Sequence, residues 1–280
     1  MRALRLGRLT FDWRQAQLMG VINLTPDSFS DGAQIGSVEE ALQRAEQLAK
    51  DGVVILDVGG ESTRPGAMPI TPEVEQDRIL PVVAALAQRY VVSVDTYHAR
   101  TAEAAVRAGA ALVNDISGGL LDSAMLPTVA RLSVPIVLGH LRGKPETMQS
   151  TIAFNDVVAE VVKELDERRT AAERAGIDPA CILLDPGLGF GKRPEHSWAL
   201  LAALPRLAAL GCPLVIGASR KTFLGLATGR DSMERDAATA AVTAFVAAAV
   251  PALIRVHNPA SQQDALAVGN ALRQARQVAA

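Results

Sequence analysis

The stretch VVILDVGGESTRPG, residues 53–66, carries the pattern that decides the fold. Its first six residues are aliphatic apart from one aspartate, which is the make-up of a strand covered on both faces. Two glycines and a run of short polar residues then end the strand. Over 74–88 apolar residues recur three and four apart, the spacing of a helix with one buried face. Strand, polar loop and helix in that order make one βα unit.

The same unit repeats on both sides of this stretch. Strands are expected at 17–22, 53–58, 90–94, 111–113, 136–138, 181–184, 214–216 and 252–256. Helices are expected at 38–50, 74–88, 100–108, 123–131, 156–175, 197–210, 233–250 and 261–277. Ser37 with Glu40 three residues on, and Thr71-Pro72 ahead of an acidic turn, mark helix starts. Gly109, Gly176 and Gly211 stand where helices should end. Eight near-continuous apolar strands, each followed by a helix, predict a closed (β/α)₈ barrel of class α/β. An open doubly wound sheet is the alternative, but the GxGxxG fingerprint expected after its first strand is missing. Residues 5–12 read as a short hairpin or strand covering the barrel floor. No linker or change of composition divides the chain, so residues 1–280 are read as a single domain with its core over about 17–278.

Composition narrows the function classes. The 28 basic and 30 acidic residues nearly cancel, so no overall basic field is available to hold nucleic acid or an anionic membrane. Residues 237–254 contain no charge and are long enough to raise the question of a membrane span. Their alanine content and Pro251 instead divide them into a buried helix and a strand. The N-terminus lacks the apolar core of a secretory signal, and Cys181 and Cys212 do not have metal-ligand spacing, so free thiols in a cytoplasmic setting are expected.

In such a barrel the chemistry lies at the carboxyl ends of the strands, and the polar residues gather there. Asn23, Asp57, Asp95, Asn114, Asp185, Lys221, Arg255 and His257 all lie at or just past an expected strand end. Asp95, Asn114, Asp185 and Lys221 offer carboxylates, an amide and an ammonium, a set that reads a flat heterocycle edged with donors and acceptors. Arg64, Arg255, His257, Asn23 and the hydroxyls of Ser62 and Thr63 suit a phosphate-rich leaving group, with Mg2+ neutralising part of its charge. Plainer roles compete. Asp57 and Asp115 are as well read as helix caps, and His98, His140 and His196 as polar residues supporting loops. The run GLGFGK at 187–192 has the wrong glycine spacing for a phosphate loop, and suits a close backbone approach to a ligand instead. Phe29 and Phe190, set in polar glycine-rich loops, suit the apolar wall of a ring site.

Seven blocks follow one another at seven strand ends: MGVINLTPDSFSDG (19–32), ILDVGGESTRPGA (55–67), SVDT (93–96), NDISGG (114–119), LLDPGLGFGK (183–192), IGASRK (216–221) and RVHN (255–258). In this order they resemble the signatures of the dihydropteroate synthases, a TIM-barrel family that binds pterins. The resemblance implies a cytoplasmic, homodimeric, magnesium-using transferase of folate biosynthesis that sulfonamides inhibit. Its reaction joins a dihydropterin pyrophosphate to 4-aminobenzoate by an SN1-like path. It further implies that Asp95, Asn114, Asp185 and Lys221 hold the pterin, with Asp95, Asp185 and Lys221 catalytic. Asn23, Thr63, Arg64, Arg255 and His257 would hold the pyrophosphate, Asn23 also meeting the metal, and Thr63, Pro65, Phe190, Ser219 and Arg220 would line the aminobenzoate site. The loops at 23–32 and 59–66 would close over the site and exclude water.

Some positions depart from the family pattern. Gly139 stands where related sequences carry methionine, which predicts a roomier pterin pocket, with Arg142 or a neighbour filling the gap. Ser197 and Ala33 replace an asparagine and a glycine. Three other functions compete: a methyltetrahydrofolate-using methyltransferase, a silent pterin- or sulfonamide-binding protein, and a Schiff-base aldolase built on Lys221. The SRK and ESTRP blocks disfavour the first, and retention of Arg64, Arg255 and His257 disfavours the second.

Overall fold

The computed structural model describes residues 2–25, 37–63, 66–150 and 152–279. An antiparallel hairpin opens the chain, β1 (Leu4–Leu6) with β2 (Leu9–Phe11). The next eight strands are β3 (Gln17–Asn23), β4 (Val53–Gly59), β5 (Val92–Asp95), β6 (Leu112–Asp115), β7 (Ile136–Gly139), β8 (Ile182–Asp185), β9 (Leu214–Ile216) and β10 (Ala252–Val256). They are parallel, each pairs with the next in sequence, and β10 pairs with β3 to close the barrel. The doubly wound alternative is thereby excluded.

Helices α1 (Val38–Lys50), α2 (Pro72–Ala87), α3 (Ala99–Arg107), α4 (Met125–Leu132) and α5 (Val157–Arg174) follow strands β3 to β7 in turn. Ser37 Oγ accepts from Glu40 N at 3.2 Å, and Thr71 Oγ1 accepts from Val74 N at 3.4 Å, so both expected caps are formed. The helix expected over 197–210 is two, α6 (Pro194–Ala202) and α7 (Leu204–Ala208). Pro205, in the first turn of α7, lacks the N–H that would continue the ladder. A short helix, α8 (Thr222–Thr228), follows β9 where no helix is expected. The uncharged stretch is α9 (Asp236–Ala249) and then β10, and among the described residues no helix is long and apolar enough to cross a membrane.

The last helix, α10 (Gln263–Ala279), packs on α9 through Gly269, where a Cβ would come within 2.5 Å of the Ala244 carbonyl oxygen. Both cysteines are free.

Two apolar clusters hold the molecule together. The larger lies between strands and helices. The smaller fills the lower barrel, where Leu4, Leu6, Phe11 and Trp13 of the hairpin segment bury against Met19, Ile55, Val137, Leu183, Val215 and Leu253 from the strands. Each such side chain contributes about 1.5–3 kcal/mol relative to exposure. The hairpin therefore seals the amino-terminal mouth with hydrocarbon, as its sequence suggests, and leaves the polar carboxyl rim as the accessible end.

Candidate active site

Strand register assembles the rim. Asn23 is in register with Gly59, Gly59 with Asp95, and Asp95 with Asn114, so these four residues form one row across β3 to β6. Across the barrel Gly139 is in register with Asp185. One cavity opens at this rim, lined by Thr63, Asp95, Asn114, Asp185, Phe190, Ser219, Lys221, Arg255 and His257, with Ile116 and glycines 139, 187 and 217 between them. Those nine polar and aromatic residues were all expected from sequence to form the site.

Arg255 spans the cavity floor, donating from Nε to Asp57 Oδ2 at 2.6 Å and from Nη2 to Asp95 Oδ2 at 2.7 Å. Burial disfavours its charge, but Asp57 and Asp95 more than offset this and hold the guanidinium above its ordinary range. Burial pushes Asp95 up to about 7, against the pull of Arg255. The Asn114 amide donates to Asp57 Oδ2 at 3.0 Å, leaving its carbonyl oxygen turned to another use. Asp57 is therefore no helix cap. It is a fully buried side chain that orients Asn114 and Arg255 together.

On the opposite side Asp185 accepts from Gly187 N at 2.7 Å, and burial raises its pKa while Lys221 opposes the rise. Burial brings Lys221 down to about 8, opposed by Asp185, so it remains cationic at neutral pH. The Lys221 ammonium donates to the Leu188 carbonyl and sits 4.3 Å from the Phe190 ring centroid. Ser219 Oγ lies 3.2 Å from His257 N and 3.0 Å from its Nδ1, which turns the imidazole across the rim.

Other sequence-derived candidates lie elsewhere. The Arg220 guanidinium reaches Asp236 at 3.3 Å and Met233 Sδ at 3.3 Å on the outer side, and it does not line the cavity. Its own backbone is left-handed, at φ 60°, and turns the side chain toward α9. Asn258 joins the same anchor through Asp236, at 2.6 Å. Asn23 stands at the end of β3 outside the cavity lining. Arg64, Pro65, Phe29 and Ala33 lie outside the described residues, as does most of the loop at 23–32.

The roomier pocket expected at Gly139 is a reading that fails. A Cβ there would lie 2.5 Å from Ile116 O and 2.6 Å from Ile116 Cα, so neighbouring backbone already fills the space. Nor does Arg142 fill a gap. It pairs with Glu160 and Glu164 and lies 4.0 Å from the Phe154 ring centroid. Gly139→Ala is therefore expected to cost about 1–3 kcal/mol of stability, as overpacking does, and to weaken pterin binding by displacing Ile116. Urea unfolding and calorimetry check both; an unchanged unfolding midpoint would remove the packing argument.

A surrounding shell supports the cavity, and of its members Ser117, Glu61, Tyr97, Glu75 and Thr96 are not singled out by sequence. Asp115 accepts from Ser117 N, Ser117 Oγ and Gly119 N, and so shapes the turn after β6. His196 Nδ1 accepts from Arg193 N at 3.2 Å, the supporting role expected for it. Ser197 Oγ accepts from Gly189 N at 3.2 Å, holding the loop beside the cavity. Under the loop that bears Thr63, Glu61 takes a hydrogen bond from the Tyr97 hydroxyl and lies 3.2 Å from His98 Nε2. Glu75 is fully buried beside them and accepts from Thr96 Oγ1 at 2.9 Å.

Burial pushes Glu75 up to about 7. A carboxyl whose folded pKa exceeds its unfolded value of about 4.3 contributes stability that is present below that value and lost as pH rises through about 7. The melting temperature of Glu75→Gln should therefore fall less between pH 5 and pH 8 than that of the parent chain. Parallel curves for the two proteins would contradict this.

Among the described residues no group of three or more His, Cys, Asp or Glu is placed to hold a metal ion. The donors at the rim fit a hard cation that arrives coordinated by phosphate oxygens and meets the protein through one amide, such as that of Asn23.

Residues 19–257 match the family model of the pterin binding enzymes. The dihydropteroate synthase of Mycobacterium leprae is 46% identical over 260 residues, covering 90% of this chain and 92% of that protein. The Yersinia pestis dihydropteroate synthase, solved with a sulfonamide drug complex, superposes with a TM-score of 0.93 at 36% identity, covering 97% of this chain and 99% of that one. The Xanthomonas albilineans dihydropteroate synthase with 4-aminobenzoic acid gives a TM-score of 0.89 at 42% identity, covering 97% and 98%. The chain belongs to the pterin binding enzymes, on a barrel whose polar rim forms one cavity. Within that family its place is with the dihydropteroate synthases, transferases of folate synthesis.

Proposed function

We propose that the cavity divides its residues among the three parts of the dihydropteroate synthase reaction, in which 6-hydroxymethyl-7,8-dihydropterin pyrophosphate and 4-aminobenzoate give 7,8-dihydropteroate and pyrophosphate. Asp95, Asn114, Asp185 and Lys221 take the pterin. Arg255 and His257, with Thr63, Arg64 and Asn23, take the pyrophosphate. Phe190 and Ser219, with Thr63 and Pro65, take the aminobenzoate. Arg220 supports this part from behind, through its hold on α9. The observation that carries the division is that two buried carboxylates and an amide share one cavity with a guanidinium and an ammonium.

The chemistry follows from those charges. The bond between the exocyclic methylene and the pyrophosphate oxygen breaks with its electron pair, and the methylene is left electron-poor and conjugated with the pterin ring. Asp95 and Asp185 would stabilise that positive charge, and their burial supports this by strengthening the attraction. Arg255 keeps Nη1 without a hydrogen bond among the described residues while its other nitrogens are tied to Asp57 and Asp95, so it can accept pyrophosphate without losing its anchor. The arylamine lone pair then forms the carbon–nitrogen bond, and the ammonium so formed gives up one proton. The amine is neutral and nucleophilic at pH 7, so no strong base is required.

Mg2+ bound with the pyrophosphate would supply further neutralisation of the leaving group, and Asn23 is the residue that would hold it. Pyrophosphate should bind more tightly with magnesium than without it, and Asn23→Ala should reduce that difference. An undiminished magnesium effect in the variant would remove Asn23 from the role.

The division of the cavity is tested by calorimetry with a non-reacting pterin. Asn114→Ala should lower its affinity by about tenfold or more, as loss of a buried hydrogen-bonding group does, while Ser219→Ala leaves it within about twofold. Equal losses in the two variants would overturn the division. A homodimer is part of the same proposal, supported by Phe245, Val268 and Leu272, which α9 and α10 leave exposed. Sedimentation equilibrium should give twice 29.5 kDa, and a single-chain mass would contradict it. A cytoplasmic setting is supported by the two free thiols.

A further inference from the structure

Lys192 lies behind the cavity and is nearly inaccessible to solvent, at 3% exposure. A buried ammonium persists only where its protons are satisfied. Burial pushes Lys192 well below its ordinary pKa, and its Nζ lies beside three acceptors: His140 Nδ1 at 2.9 Å, Phe190 O at 3.0 Å and His140 O at 3.3 Å. The histidine tautomer follows. With Nδ1 accepting from Lys192, the ring proton is on Nε2 and is donated to Glu164 Oε2 at 2.9 Å. Burial together with the charge of Lys192 holds His140 down at about 3, so its ring is neutral at any working pH.

The chain Glu164, His140, Lys192, Phe190 thus runs from α5, through the segment after β7, to the loop after β8. Its last link is the backbone carbonyl of the residue whose ring lines the cavity beneath Lys221. The loop itself is pressed close. At Gly187, which has φ 64°, a Cβ would overlap the His140 carbonyl oxygen. The Phe190 amide also donates to Gly187 O at 3.0 Å, so Lys192 and one turn hydrogen bond fix both ends of the Phe190 peptide.

We propose that Lys192 is a positioning residue of the reaction, holding the Phe190 ring in place for the aminobenzoate through its bond to the Phe190 carbonyl, with His140 as its oriented acceptor. Lys192 touches no substrate. The inference rests on the reading of Phe190 as part of the aminobenzoate site.

Steady-state kinetics on the full chain test it with Lys192→Met, Phe190→Leu and the double variant, and with Lys192→Gln, which keeps a donor for the Phe190 carbonyl. Lys192→Met should raise KM for 4-aminobenzoate about tenfold, the cost of a lost buried hydrogen bond, and leave KM for the pterin pyrophosphate within about twofold. Lys192→Gln should fall between parent and Lys192→Met. The double variant should be no worse than Phe190→Leu alone, because both changes act through one ring. Two outcomes overturn the proposal: effects of Lys192→Met and Phe190→Leu that multiply, or equal rises in both KM values. Should Lys192→Met not fold, Lys192→Gln is judged by the same two criteria. If Phe190→Leu leaves KM for 4-aminobenzoate unchanged, the reading of the aminobenzoate site fails instead, independently of what Lys192 does.

Discussion

Asp95→Asn should lower kcat/KM by about a thousandfold, the scale on which preorganised electrostatic groups act, without weakening the fold. Asparagine keeps an oxygen for the Arg255 Nη2 donor but cannot carry the charge that faces the cationic transition state. The stability half of the prediction follows from linkage. The Asp95 carboxyl stands at about 7 in the folded chain because burial raises it, against about 3.9 when unfolded. Its contribution is present below the lower value and is lost as pH rises through the higher one. At pH 8 the parent therefore carries a strained anion that the variant lacks, and the variant should melt no lower than the parent. Steady-state assay and thermal unfolding at pH 8 check the two halves. Near-normal turnover in Asp95→Asn would remove this carboxylate from the catalytic group.

Arg255→Met should damage both stability and activity. Asp57 is completely buried and Asp95 nearly so, and Arg255 is the cation bonded to both. Breaking a buried pair by removing one member costs about 3–5 kcal/mol, because the remaining charge is left uncompensated. Without the guanidinium the Asp95 carboxyl shifts further upward, so the loss should be larger at pH 8 than at pH 5.5. Activity should fall by about a hundredfold or more, since the cation facing pyrophosphate disappears as well. Adding Asp57→Asn to Arg255→Met should recover part of the stability and none of the activity. Urea unfolding at the two pH values decides the first half. A loss under about 1 kcal/mol at pH 8 would mean that Arg255 is not the counter-ion described.

The barrel was legible in the sequence because each strand is a compact apolar run and each helix a long periodic one. All eight observed barrel strands overlap the expected ones. The hairpin was legible for the same reason. The short helix α8 was not, since seven residues containing a glycine give too little periodicity to register. The division of one expected helix into α6 and α7 depends on where Pro205 falls within a turn.

The site was legible to a similar depth. Residues that end strands face the rim by construction, which is why Asp95, Asn114, Asp185 and Arg255 converge. Arg220 shows the limit. It sits next to Lys221 in the chain, yet a left-handed backbone at its own position sends its side chain to Asp236 rather than into the cavity. The space at Gly139 was illegible for a different reason. A missing side chain reads as a hole in sequence, whereas here the backbone of Ile116 occupies it. Lys192 belongs to a motif visible in sequence, but nothing in its spacing reveals that its ammonium turns inward to His140.

The central claim is that this barrel rim performs one substitution in two stages, in which pyrophosphate leaves and the arylamine then takes its place on the methylene. The purified chain, incubated with 6-hydroxymethyl-7,8-dihydropterin pyrophosphate, 4-aminobenzoate and magnesium, tests it when both products are measured over time. One pyrophosphate released for each 7,8-dihydropteroate formed is the expected result. Formation of neither product, or pyrophosphate released with no dihydropteroate, would contradict it.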